Sequence, residues 1–126
     1  MKNILLYLWQ LPQNLLGLFI IKIIKAEYNK DYNFWYILRF NFGVSLGNYI
    51  IFGERFNGTD LKHERGHQKQ SLYLGWLYLI VIGIPSAFGN LWDRIFHKDW
   101  PYEDSCIWYY SLPWEAWADE LGGVRR

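Results

Sequence analysis

Two stretches of this 126-residue chain, positions 3 to 21 and positions 70 to 92, carry no charged residue. Each matches the roughly 20 apolar residues that a helix needs to cross a bilayer. A chain this short builds only a modest core, so such stretches must either fill it or face lipid. Gln10, Pro12, Gln13 and Asn14 interrupt the first stretch. It reads as a helix pair or kinked helix over 1–25, with Lys22 and Lys25 marking its exit from apolar surroundings. No small-residue A-x-A pattern follows, so it is expected to be retained and not cleaved as a signal. Gly83-Ile84-Pro85 lies near the middle of the second stretch, where proline kinks or ends a helix. A hairpin of two half-length helices is expected there, each too short to span.

Between the two stretches the pattern changes. Asn29 to Asn33 is a turn by composition. Phe34 to Phe42 and Leu46 to Phe52, rich in aromatic and β-branched residues, read as two strands. They are expected to form an antiparallel hairpin over 34–53, with the edge of Leu46 to Phe52 open to an extended peptide. Asn57-Gly58 signals a turn, and Thr59 or Asp60 can cap a helix that runs on into the apolar stretch, giving a unit over 59–92. Positions 93 to 104 read as a polar loop with a short helix. Pro113 can open a last helix over 113–121, which Gly122-Gly123 ends. The expected fold is a single α+β domain over 1–126, mainly helical. Its formal net charge of +1, with no basic run, speaks against a nucleic-acid partner. The single cysteine, Cys106, excludes an intramolecular disulfide and reads as a small buried hydrophobe.

The residues that carry chemistry begin at His63-Glu64-Arg65-Gly66-His67. Side chains four apart share one helix face, so His63 and His67 can reach one metal ion. Glu64 projects beside them, where its carboxylate can touch a bound water without ligating the metal. A catalytic zinc needs three protein ligands and an open position. In Trp114-Glu115-Ala116-Trp117-Ala118-Asp119, Glu115 can supply the third ligand from another helix. Asp119, one turn on, can hold the far nitrogen of a liganding histidine and so set its tautomer. Glu103, Asp104 and Glu120 compete for the third place but lack a partner of this kind. Tyr109 or Tyr110 can donate to a developing oxyanion. His97, beside Lys98 and Asp99, reads as a surface residue.

His63-Glu64-Arg65-Gly66-His67 followed by Glu115-x-x-x-Asp119 resembles the gluzincin metallopeptidases, the thermolysin-like class. The resemblance covers roughly residues 34 to 72 and 109 to 123. It implies a minimal zincin-like core, in which a β-hairpin packs beside the metal helix and the apolar helical segments are additions. It also implies one Zn2+ per chain on His63, His67 and Glu115, support from Asp119, and hydrolysis of a peptide or protein substrate with Glu64 as general base. The chain departs from that family in its long apolar insert and its small size.

The two apolar stretches also constrain topology. Lys22, Lys25, Lys30, Arg39, Arg55, Lys62, Arg65 and Lys69 lie between them, against Arg94, Lys98, Arg125 and Arg126 after the second. The positive-inside rule puts the middle of the chain on the cytoplasmic side. A single crossing by residues 70 to 92 would part Glu115 from the histidines. A shared metal therefore requires a monotopic or re-entrant arrangement. The alternative is a non-catalytic membrane or interaction protein tied together by zinc, in which Glu64 has no task. Substrate sequence and oligomeric state are not legible at this level.

Overall fold

The computed structural model describes residues 2–37, 42–53 and 57–126. The chain is α+β and mainly helical. Helices α1 (Lys2–Trp9) and α2 (Leu11–Ile24) lead into strands β1 (Glu27–Asn29), β2 (Phe34–Tyr36), β3 (Gly43–Leu46) and β4 (Tyr49–Phe52). Helix α3 (Gly58–Leu74) carries both histidines of the motif. A 3-10 turn (Gly75–Leu77) and a π-helical turn (Leu79–Gly83) then lead into α4 (Ile84–Phe96), followed by α5 (Tyr102–Ser111) and α6 (Pro113–Gly122).

The four strands form one mixed sheet in the order β1-β2-β4-β3. The turn at 30–33 joins β1 and β2 as an antiparallel hairpin, Glu27 opposite Tyr36. The hairpin expected between the segments starting at Phe34 and Leu46 is not the one observed. Tyr36 lies beside Phe52 in a parallel pair, and β4 makes its hairpin with β3, Leu46 opposite Tyr49. The cause is Gly47, which sits at φ 65 and reverses the chain inside the run read as one strand. Positive φ is what a two-residue hairpin turn requires, and glycine supplies it without strain. Positions 38 to 41 of the expected first strand lie outside the described residues. Strand β4 is therefore interior, and the edge near α3 belongs to β3, whose buried Ser45 accepts at its carbonyl from the Tyr78 hydroxyl at 2.9 Å. Phe34, Ile50, Phe52 and Leu61 form the apolar core between sheet and α3.

Helix α3 starts at Asn57, not at Thr59 or Asp60. The Asn57 side chain accepts from the Asp60 N–H, and Asp60 accepts from the Asn57 N–H in return. Such a reciprocal cap satisfies two of the orphan donors of a helix start. The chain reverses after α3 at Gly75, at φ 56, and not at Gly83-Ile84-Pro85. Gly83 stays helical, and Pro85 stands just after the π-helical turn, where the α-helical hydrogen-bond ladder is already interrupted and its missing N–H is tolerated. The result is one helical run, Leu79–Phe96, long and apolar enough to cross a membrane and 11% buried.

The polar residues that interrupt the first apolar stretch are the ones buried. Gln10, Gln13 and Asn14 are almost inaccessible, while Leu5, Leu15, Phe19 and Ile23 are exposed. Ser71 Oγ donates to Gln10 Oε1 at 2.5 Å, and Gln13 Nε2 donates to Ser71 Oγ at 2.8 Å and the Gly75 carbonyl at 2.9 Å. Asn14 Oδ1 accepts the Asn48 N–H of the β3–β4 turn at 2.7 Å. These bonds offset the cost of burying amides, and they dock α1 and α2 onto the end of α3.

Candidate metal centre

The buried face of α3 is Leu61, His63, Glu64, Gly66, His67, Gln70 and Ser71. A helix that turns histidine, glutamate and glutamine inward must find a partner for each polar group. The partners come mainly from α6. Gly66 and Gly122 let the two helices touch backbone to backbone. A Cβ at Gly66 would collide with the Ala118 carbonyl, and one at Gly122 with the Lys62 carbonyl. This contact lays Glu115 and Asp119, one turn apart on α6, over His63 and His67.

His63, His67 and Glu115 are all buried, and their ligand atoms lie within 4.8 Å of one another. His63 Nε2 is 2.9 Å and His67 Nε2 3.1 Å from the same oxygen, Glu115 Oε2. The other nitrogen of each ring is already engaged. His63 Nδ1 is 2.7 Å from Asp119 Oδ1, and His67 Nδ1 is 2.6 Å from Gln70 Oε1. Gln70 Nε2 donates to the Trp114 carbonyl at 2.9 Å, which fixes the amide with its oxygen towards His67. Both Nδ1 atoms thus face acceptors and carry their protons. In the neutral rings, both Nε2 lone pairs then point at a carboxylate oxygen. Three acceptors facing inward at such distances require positive charge between them, either ring protons or a metal ion. The donor set fits a metal ion.

Electrostatics follow the same logic. Burial opposes charge on His63, but its bonds to Asp119 and Glu115 outweigh that and lift its pKa to about 9. Burial also opposes charge on His67, and the Glu115 bond again prevails, raising it. Burial alone would raise the Glu115 carboxyl, yet the two histidines hold it well below the usual carboxylate range. Asp119 is likewise held low against burial by His63 and by Arg126, which donates to both its oxygens at 2.7 and 3.1 Å.

Glu64 differs from all of these. It is buried, and its Oε2 has no hydrogen-bond partner among the described residues. Burial pushes its carboxyl up, and the neighbouring histidines only partly reverse this. Glu64 borders a cavity of about 420 Å3 that His63, Phe52, Asp93, His97, Tyr109 and Tyr110 also line. Gly43 of the edge strand β3 stands beside it, since a Cβ there would lie 3.4 Å from Glu64 Oε1.

The remaining candidates fall around this centre. Tyr109 donates to Glu115 Oε1 at 3.0 Å, so its hydroxyl is committed to the ligand. The Tyr110 ring packs edge-on against His63 at 5.0 Å and lies beneath the Arg126 guanidinium. His97 is not a surface residue. It is buried, bonded to Asp93 at 2.9 Å and stacked on Trp100, and it lines the cavity without joining the ligand group. Glu103, Asp104 and Glu120 are exposed and apart from the group. Cys106 is half-buried at the cavity wall. Three contributors were not foreseen: Gln70, Ser86 and Arg126. Gln70 carried a signal, because i+3 from His67 puts it on the same helix face. Ser86 and Arg126 carried none. Comparison with protein-family models, curated proteins and solved structures gave no match, so the geometry of the site alone carries the functional reading.

Proposed function

We propose that this chain is a membrane-associated zinc metallopeptidase that cleaves peptide bonds in a peptide or protein substrate. The observation that carries the reading is the conjunction of a buried three-ligand group with the unpartnered carboxylate oxygen of Glu64 at a cavity. A purely structural metal site has no use for Glu64, and a buried orphan acceptor costs about 1–3 kcal/mol. Two imidazoles and one carboxylate suit zinc, with a position left for water.

His63, His67 and Glu115 would hold the ion, while Asp119 and Gln70 keep the Nδ1 protons in place and aim both Nε2 lone pairs. A zinc ion held there would supply Lewis acidity, which lowers the pKa of a water towards about 7. Glu64, whose Oε2 has no partner among the described residues, would accept the proton of the attacking water and later give it to the leaving amine. Tyr110 is the candidate donor to the developing oxyanion, since Tyr109 serves Glu115. An extended substrate that reaches the exposed Gly43 end of β3 lies beside Glu64.

Membrane contact is supported by the inverted distribution of residues. Ile84, Phe88, Leu91 and Ile95 are exposed along one face of α4, and Leu5, Leu15, Phe19 and Ile23 along α1 and α2. Trp9, Trp76 and Trp92 are exposed among them, as befits a membrane–water interface. The other face of α4 presents Asn90, Asp93 and His97 to the cavity. A helix polar on one side and apolar on the other lies in one leaflet, which keeps α3 and α6 on the same side.

The test is metal content and peptide hydrolysis of the purified chain in detergent. About one zinc per chain is expected, lost in His67→Ala and Glu115→Ala and kept in Glu64→Gln, with hydrolysis lost in all three. A folded wild-type protein that binds no metal overturns the reading. Full hydrolysis by Glu64→Gln removes Glu64 from its role.

A further inference from the structure

Glu115 presents its two oxygens to different neighbours. Oε2 faces both imidazoles, whereas Oε1 accepts from Ser86 Oγ and from Tyr109 Oη, the latter at 3.0 Å. The two hydroxyls lie 3.3 Å apart, so they close on one oxygen from two helices. Ser86 comes from α4 and Tyr109 from α5, neither of which carries a ligand. The carboxylate they grip has no accessible surface.

The consequence concerns how many positions the ion has left. A carboxylate can ligate through one oxygen or two. Two protein hydroxyls on Oε1 use the lone pairs that a second metal bond would need, and they hold the carboxylate plane with Oε2 alone turned inward. Three protein atoms then ligate, and the open position that separates a catalytic from a closed site is preserved. We infer that Ser86 and Tyr109 are positioning residues that keep Glu115 a one-oxygen ligand and so keep a coordination position free for water. This rests on the metal-centre reading above.

Cobalt(II) replaces zinc as a visible probe, and acetohydroxamate reports the open position. Full-length wild type, Ser86→Ala, Tyr109→Phe, the double variant and Ser86→Thr are compared in detergent, with circular dichroism to establish folding. Wild type should give the intense absorption of a low-coordinate cobalt site and bind acetohydroxamate. The double variant should still bind cobalt, with absorption reduced severalfold and acetohydroxamate affinity down by about tenfold or more. Each single variant should be intermediate, and Ser86→Thr, which keeps the hydroxyl, should match wild type. A folded double variant with wild-type spectrum and acetohydroxamate affinity overturns the inference. So does one that loses cobalt altogether, because a released carboxylate should still ligate. If the double variant does not fold, unchanged single variants overturn it and intermediate ones support it. Wild type that binds no cobalt fails the metal reading itself, which separates the two failures.

Discussion

Replacing Gly66 with alanine tests the geometry of the metal centre without touching a ligand. Two effects of the added methyl oppose each other. In a helix interior, alanine is favoured over glycine by about 1 kcal/mol, so propensity alone makes the variant more stable. The structure requires the reverse, because the new Cβ meets the Ala118 carbonyl of α6. A backbone carbonyl inside a helix cannot rotate aside, so the cost lies near the top of the roughly 1–3 kcal/mol range for overpacking. The net expectation is destabilisation by about 2 kcal/mol, the overlap cost of about 3 kcal/mol less the gain of about 1 kcal/mol from propensity. Relief comes by moving α6 outward, which carries Glu115 and Asp119 away from the histidines. Zinc affinity should then fall by about tenfold or more, each tenfold being about 1.4 kcal/mol. Denaturant unfolding of the metal-free protein and zinc competition titration measure the two terms. Gly122→Ala should behave alike, since its Cβ meets the Lys62 carbonyl. Gly58→Ala is the control, with nothing within 4 Å of its Cβ. A Gly66→Ala variant more stable than wild type, with zinc affinity unchanged, would refute the backbone contact on which the site depends.

Further expectations can be checked with the same preparations. Asp119→Asn and Gln70→Ala each remove a partner of a liganding imidazole and should weaken zinc by about 10- to 100-fold, measured by competition with a chelator; no change would deny them an orienting role. His63, raised from 6.5 to about 9 in the metal-free site, contributes stability that is complete below pH 6.5 and lost as pH rises through about 9. Zinc must displace its ring proton, so zinc affinity should rise across that interval while metal-free stability falls. Parallel slopes with and without zinc in unfolding experiments would contradict the assignment. Gln13→Ala strips partners from Ser71 and the Gly75 carbonyl and should cost about 1–3 kcal/mol, read by denaturant unfolding. A neutral result would mean that the amide cluster does not fasten α2 to α3.

The ligand group was legible because its spacing is local. His63 and His67 lie one turn apart on any helix, as do Glu115 and Asp119, and the helical period alone puts each pair on one face. Strand pairing was not legible in the same way. Leu46 to Phe52 has the composition of one strand, and only the reversal at Gly47 splits it, which makes β4 interior and puts β3 at the sheet edge. Likewise Pro85 was the obvious breaker in the second apolar stretch. The π-helical turn before Pro85 carries the helix past the proline, and the reversal fell at Gly75, which has positive φ.

The sequence by itself determined which residues offer metal-binding atoms, which carboxylate stands beside them, and which stretches avoid charge. These follow from side-chain chemistry and the helical repeat. The tertiary structure decided that His63, His67 and Glu115 share one centre, because the close contact of α3 and α6 at Gly66 and Gly122 brings residues some fifty positions apart into contact. It also turned Gln10, Gln13 and Asn14 inward, moved His97 from surface to cavity, and brought Ser86 and Tyr109 onto Glu115. Such contacts depend on how helices pack against one another, and no local repeat in the chain encodes that.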